Sequence, residues 1–153
     1  MERPAADNGY QAGHAEILAS SFRYWTGRDL AAPGPDLARR LYQAPFALVS
    51  HASGPDPCFD YANESAQQLF EMGWEAFIRT PSRQSAAPAD QDQRAELMAR
   101  VARDGYLEGY SSTRVSARGR RFRILEAVIW NLLDREGTLC GQAACLPRWN
   151  FLE

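Results

Sequence analysis

Phe59-Asp-Tyr-Ala-Asn63-Glu-Ser-Ala-Gln-Gln-Leu-Phe70-Glu-Met-Gly73-Trp74 is the stretch on which the fold turns. Its first residues, following Cys58, carry the aromatic β-formers of a strand. Asn63 is a preferred helix N-cap, because its amide oxygen accepts from an N–H group that the first helical turn leaves free. A short helix over Glu64 to Phe70 follows. Gly73 breaks it, and Trp74 to Phe77 forms one more turn of helix. A strand therefore ends in a corner and passes into small helices that can roof an antiparallel sheet.

Working upstream, Phe46-Ala-Leu-Val-Ser-His51 reads as a buried strand, joined through the turn Gly54-Pro-Asp-Pro57 to the strand Cys58 to Tyr61 as a hairpin. Ala31-Ala-Pro-Gly-Pro35 is a hinge, and Asp36 can cap a short helix over Leu37 to Tyr42 that ends before Pro45. Ile17, Leu18, Phe22 and Trp25 sit at helical spacing, so Tyr10 to Trp25 reads as an amphipathic helix stopped by Gly27. Residues 1–9 read as a disordered tip before a single domain over 10–153.

Downstream, Pro81 to Pro88 reads as a polar loop, and Asp90 or Asp92 can cap a helix through Arg103 with Leu97, Met98 and Val101 as its apolar stripe. Gly105 ends it. Tyr106 to Ser116, Phe122 to Leu133 and Thr138 to Leu146 then read as strands, separated by the turns Ser116-Ala-Arg-Gly119 and Asp134-Arg-Glu-Gly137. The order predicts an α+β fold: a five-stranded antiparallel sheet with short helices on one face and an N-terminal helix.

The bulk numbers agree. A chain of 153 residues fits one domain, and at this size folding buries roughly 68–70% of the unfolded surface. A net charge of −2 offers no broad basic field, so no nucleic-acid partner is expected. The 17 basic residues are all arginine, which we read as codon bias. Three widely spaced cysteines, Cys58, Cys140 and Cys145, argue against a disulfide framework or a zinc site. No long apolar run predicts a membrane span, and the polar start has no signal core, so the expected address is the cytoplasm.

The Phe59–Trp74 stretch resembles the opening of a PAS domain, in which a strand ends in a Tyr-x-Asn corner and a small helix follows. Gly119-Arg-Arg-Phe, a long apolar strand, Asp134-x-x-Gly137 and a strand from Gly141 resemble its close. Ala44-Pro-Phe-Ala-Leu-Val-Ser-His51, Pro81-Ser-Arg83, Gly119-Arg-Arg-Phe-Arg-Ile124 and Val128-Ile-Trp-Asn-Leu-Leu-Asp134 resemble one PAS-related subclass more closely, the MEKHLA domain. That domain closes some plant homeodomain–leucine zipper regulators and stands alone in bacterial proteins, the type this chain resembles. The resemblance spans roughly residues 14–149. It implies a sensory or regulatory role, in signalling or transcription regulation, and a pocket between sheet and helices.

That pocket nominates Phe46, Val49, Phe59, Tyr61, Asn63, Phe70, Arg79, Ser82, Arg83, Glu126, Trp130 and Gln142 as ligand-binding candidates. In Arg79-Thr-Pro-Ser82-Arg83-Gln-Ser85, guanidinium forks and hydroxyls lie close enough in sequence to hold a carboxylate or phosphate, or simply to cap nearby helices. Asn63 reads first as a helix cap. By the two-residue period Glu126 shares a strand face with Phe122, Ile124, Val128, Trp130 and Leu132, and would be a buried carboxylate if that face is core. Asn131 and Gln142 either line a polar wall or pair with each other. His51, Cys58 and Asp60 do not make a diagnostic metal set, and no metal is expected. Residues 64–104 hold no histidine for a haem, and Arg79 to Ala86 holds no cysteine for the flavin photosensors of this fold; no cofactor is expected.

Three functions follow. The first is a sensor that binds a small ligand or a protein partner and passes its output to that partner, dimerising through the N-terminal helix and outer sheet face. The second is a small enzyme of the ketosteroid-isomerase type with Glu126, or Asp60 with Tyr61, as its acid–base pair. The third is a ligand-free interaction domain. Nothing in the sequence assembles a catalytic constellation, so a non-enzyme is expected.

Overall fold

The computed structural model describes residues 1–85 and 91–152, so the proposed Asp90 cap and the end of the 81–88 loop lie outside the described residues. In chain order the elements are α1 (Ala12–Thr26), α2 (Leu37–Tyr42), β1 (Ala47–Ala52), β2 (Phe59–Ala62), α3 (Glu64–Phe70), α4 (Trp74–Phe77), α5 (Gln91–Asp104), β3 (Tyr106–Val115), β4 (Arg121–Leu133), β5 (Leu139–Leu146) and β6 (Arg148–Phe151). Short 3-10 turns cover Ala6–Asn8 and Ser82–Ser85. The sheet runs β2-β1-β5-β4-β3 with every described pairing antiparallel.

The sheet gains a sixth strand that the sequence pattern does not announce. Pro147 cannot donate to a ladder, so β5 stops and the chain restarts as β6. The pairing Val128↔Cys145 resumes as Leu125↔Arg148, which sets Pro147 level with Glu126. Glu126 is one of the non-glycine residues with positive φ, at 57°. At that level the face alternation of β4 slips. Phe122, Ile124, Ala127 and Ile129 join the core under α3 to α5, while Trp130 and Leu132 join the core under α1.

Two apolar layers result. On the inner face Val49, Phe59, Phe70, Phe77, Val101 and Phe122 pack between the sheet and α3 to α5. On the outer face Leu18, Phe22, Leu41, Leu48, Trp130 and Leu132 pack under α1 and α2. Phe22 meets Trp130 edge-on at 4.9 Å between ring centroids. The expected stripe of α1 is thus covered by the chain's own sheet: Leu18 and Phe22 are buried, and Trp25 donates its indole N–H to the Asn131 carbonyl at 3.0 Å. The dimer interface expected on that stripe and the outer sheet face is occupied within one chain. Gly105 ends α5 with φ 97°, and a Cβ there would lie inside the Trp25 ring.

Residues 1–9, read from the sequence as a disordered tip, make contacts with the body. The Trp74 indole N–H donates to the Met1 carbonyl at 3.1 Å, and the Asn8 side chain braces the turn by accepting from the Ala5 and Gln11 N–H groups.

Candidate functional site

The corner at Asn63 is built as its sequence suggests. Its Oδ1 accepts from the N–H groups of Ala66 and Leu48, both at 3.0 Å, and its Nδ2 donates to the carbonyls of Leu41 and Phe46 at 3.0 and 2.9 Å. All its bonding capacity is used on backbone, and it is fully buried. Asn63 therefore ties α2, β1, β2 and α3 together and presents nothing to a ligand.

A hole remains on the inner face between β1, β2, the middle of the sheet, the 82–85 turn and α5. It has a cavity volume of about 40 Å³ and opens toward an outer cleft of about 310 Å³. Val49, Phe59, Phe70, Ile129 and Leu146 give the inner part apolar walls. His51, Ser82, Arg94, Met98 and Gln142 line both spaces and form their junction. The loop carrying Ser82 is pinned to β2: Phe59 N–H donates to the Thr80 carbonyl at 3.0 Å, and Ser82 N–H to the Pro57 carbonyl at 2.9 Å.

The polar chemistry at this junction is unusual for a core. Arg94 donates from Nη2 to Ser82 Oγ at 2.7 Å, but its Nε–H is buried with no partner. Burial, reinforced by the positive charge of Arg114, pulls the Arg94 guanidinium down to about 10. Arg114 is itself buried and donates to Ser112 Oγ and Ser85 Oγ, both at 3.1 Å. His51 Nδ1 lies 2.9 Å from the Ala52 carbonyl, which fixes the proton on Nδ1, and its Nε2 is buried without a partner. Burial lowers the His51 pKa, and Arg94 adds to that effect. The ring is therefore neutral at pH 7 and offers Nε2 as an acceptor.

Of the residues nominated from sequence, Val49, Phe59, Phe70, Ser82 and Gln142 line the inner cavity. Arg83 lines the outer cleft, where it pairs with Asp56 at 2.9 Å. Gln142 donates to Asn131 Oδ1 at 3.2 Å, and Asn131 donates to the Val101 carbonyl at 3.0 Å. The remaining nominees lie elsewhere. Arg79 is exposed and does not line the cavity. Phe46, Tyr61 and Trp130 belong to the outer layer, and Trp130 donates to the Leu18 carbonyl at 3.2 Å. Tyr61 is displaced by a bulge: the register slips between Ser50↔Tyr61 and His51↔Phe59, so Phe59 faces in and Tyr61 faces out. Glu126 is not a buried carboxylate. It sits exposed at the β4 irregularity and pairs with Arg148.

The sequence reading missed Arg94 and Arg114. Arg94 precedes Leu97, Met98 and Val101 at helical spacing, so the stripe already placed it on the inward face of α5. Arg114 follows Tyr110 and Ser112 by the strand period, and all three are buried. Among the described residues no group of three or more His, Cys, Asp or Glu side chains is placed to hold a metal.

The MEKHLA domain profile matches residues 12–151, nearly the whole length. The chain belongs to the MEKHLA domain family. No curated protein matches it. Among solved structures, the PAS domain of a Colwellia psychrerythraea protein superposes with a TM-score of 0.61 at 16% identity, covering 71% of this chain and 89% of that one. A light-oxygen-voltage domain studied with a flavin analogue gives 0.60 at 18% identity, over 77% and 85% of the two chains. An RNA-binding light-oxygen-voltage receptor gives 0.63 at 16% identity over 77% of this chain. The MEKHLA chain spans 35% of that receptor. At these identities the likeness is one of fold, and the fold is PAS-like.

Ligand pockets run to about 300–1,000 Å³; the inner cavity, at about 40 Å³, is far below that range, and the outer cleft, at about 310 Å³, is at its lower end. Cys58 is exposed, and Cys140 and Cys145 pack with the outer layer, away from the cavity. No described helix is long and apolar enough to cross a membrane.

Proposed function

We propose that this MEKHLA domain is a sensory or regulatory module in signalling or transcription regulation. It holds a small ligand at the junction of the inner cavity and outer cleft and relays that state to a protein partner. The observation that carries this reading is the pair of buried, partnerless polar atoms, Arg94 Nε and His51 Nε2, at the mouth of an apolar hole. Buried polar groups are nearly always satisfied, so an unsatisfied pair in a cavity calls for an external partner. Among the described residues no carboxylate lines the inner cavity: Glu126 is on the surface, and Asp60 accepts from Ser50 Oγ at 2.5 Å. We therefore read the domain as a non-enzyme. The output surface and any homodimer contact lie away from the α1 stripe.

Native mass spectrometry of protein purified from its host tests the ligand. A small-molecule adduct released on denaturation is the expected result. A bare mass under every growth condition overturns it. The small inner volume favours a second reading, a ligand-free interaction domain. Ala144→Leu decides between them, because Ala144 lines the cavity. Filling the hole abolishes the response if a ligand is sensed, and leaves partner binding intact if none is.

A further inference from the structure

The geometry at the cavity mouth specifies what kind of molecule would complete it. This step rests on the ligand-binding reading above and narrows it. Arg94 brings a guanidinium whose Nε–H is buried and unused, with its Nη2 held on Ser82 Oγ at 2.7 Å. No ion pair engages Arg94 among the described residues. A partly buried cation with no ion pair is costly, and an oxyanion on the guanidinium fork is the group that relieves it. His51, on the facing strand, has its Nδ1 proton committed to the Ala52 carbonyl, so its buried Nε2 accepts and needs a donor. The charged groups acting on His51 are Arg94 from α5 and Asp60 from β2. Behind both lies a wall of Val49, Phe59, Phe70 and Ile129 that suits carbon.

We infer that the site takes a small hydroxylated carboxylate, its carboxylate on Arg94, its hydroxyl donating to His51 Nε2 and its carbon skeleton at the apolar mouth. A carboxylate alone satisfies Arg94 and leaves His51 orphaned. Inorganic phosphate brings the charge and an O–H but has no carbon to meet the wall. The cleft volume of about 310 Å³ admits an acid of a few carbons and excludes nothing smaller. In this arrangement the anion sits on Arg94 at the cavity mouth and not on the exposed Arg79.

Titrations of the full chain with lactate, propionate and inorganic phosphate test this, read by the Arg94 Nε–H resonance and by calorimetry at pH 7. Lactate is expected to saturate and to shift that resonance. Propionate is expected to bind several-fold more weakly. Arg94→Met should lower lactate affinity at least tenfold, and His51→Phe should make lactate and propionate equal. Arg94→Lys, which keeps the charge and loses the fork, serves where the methionine variant fails to fold, and should still lose several-fold. Unchanged lactate binding in Arg94→Met or Arg94→Lys overturns the inference, as does saturation by phosphate alone. If no acid binds while the host-purified protein carries a neutral adduct, the carboxylate assignment falls and the ligand reading stands. If nothing binds and no adduct is found, both fall.

Discussion

The two faces of the sheet solve the same packing problem in opposite ways. Under α1 the outer face is closed around large aromatic rings whose polar atoms find partners: Trp130 on the Leu18 carbonyl, Trp25 on the Asn131 carbonyl, and Ser21 Oγ accepting from Leu133 N–H at 2.8 Å. Under α3 to α5 the inner face leaves a hole and puts arginine, histidine and serine at its mouth. Tyr61 OH is the outer face's buried exception, and burial there, with Tyr42 nearby, raises its pKa. One face is closed and, Tyr61 apart, satisfied, and the other keeps a hole with unsatisfied polar atoms at its mouth. Substitutions on the two faces should therefore differ in size and sign.

The largest effect belongs to the outer face. Trp130 is fully buried, and Trp130→Ala opens a void and removes the indole hydrogen bond to the Leu18 carbonyl. Losses of about 3–5 kcal/mol are typical for such truncations. Urea unfolding should show a midpoint lowered accordingly; a loss under about 1 kcal/mol would mean that α1 does not seal this face. Asn63→Ala comes next. It removes four hydrogen bonds to backbone groups of the corner, and at a net ~1 kcal/mol each the expected cost is about 2–4 kcal/mol. A ligand-contacting asparagine would instead leave the urea midpoint almost unmoved.

These two residues also mark how far the sequence could be read. Asn63 was legible because helix capping is local: one side chain, one turn, one orphan N–H. Trp130, Tyr61 and Glu126 were misplaced because each lies at or beyond a slip in strand alternation. At Asp60 the slip comes from an extra residue against β1; at Glu126 it comes with positive φ opposite Pro147. A period-two count through either point assigns every later side chain to the wrong face. A bulge is a property of two strands in register, and one strand's pattern does not announce it. The sixth strand was hidden by the same break. Arg94 was readable in principle, since it stands in line with Leu97, Met98 and Val101, but a charged residue at the head of an apolar stripe looks like a solvated end. Only the packed fold shows that the stripe points into a cavity.

On the inner face the sign changes. Arg94→Met removes a partly buried cation that has no ion pair and keeps most of its apolar length. Replacing such a charge by an apolar isostere is neutral or stabilising. The expected change is between zero and a gain of about 1 kcal/mol in denaturant unfolding of ligand-free protein. A clear loss would show that the guanidinium stabilises the fold and would weaken the contrast between the faces.

The smallest effect is a pH dependence shared by both faces, one histidine on each. His51 at the cavity mouth and His14 on α1, whose Nε2 lies 2.9 Å from Ser50 Oγ, are both lowered from 6.5, chiefly by burial. A lowered histidine pKa means that the unfolded chain takes up the proton more readily than the folded one. Stability is then complete above pH 6.5 and falls as pH drops through the folded values. Urea midpoints should be flat from pH 8 to 7 and decline from about pH 6.5 toward 5. His51→Phe and His14→Phe should each remove part of that decline. The two differ in one respect: an acid on Arg94 whose hydroxyl donates to His51 Nε2 acts on the His51 share and leaves the His14 share untouched. A decline that survives in the double variant would assign the acid sensitivity to the carboxylates and take both histidines out of it.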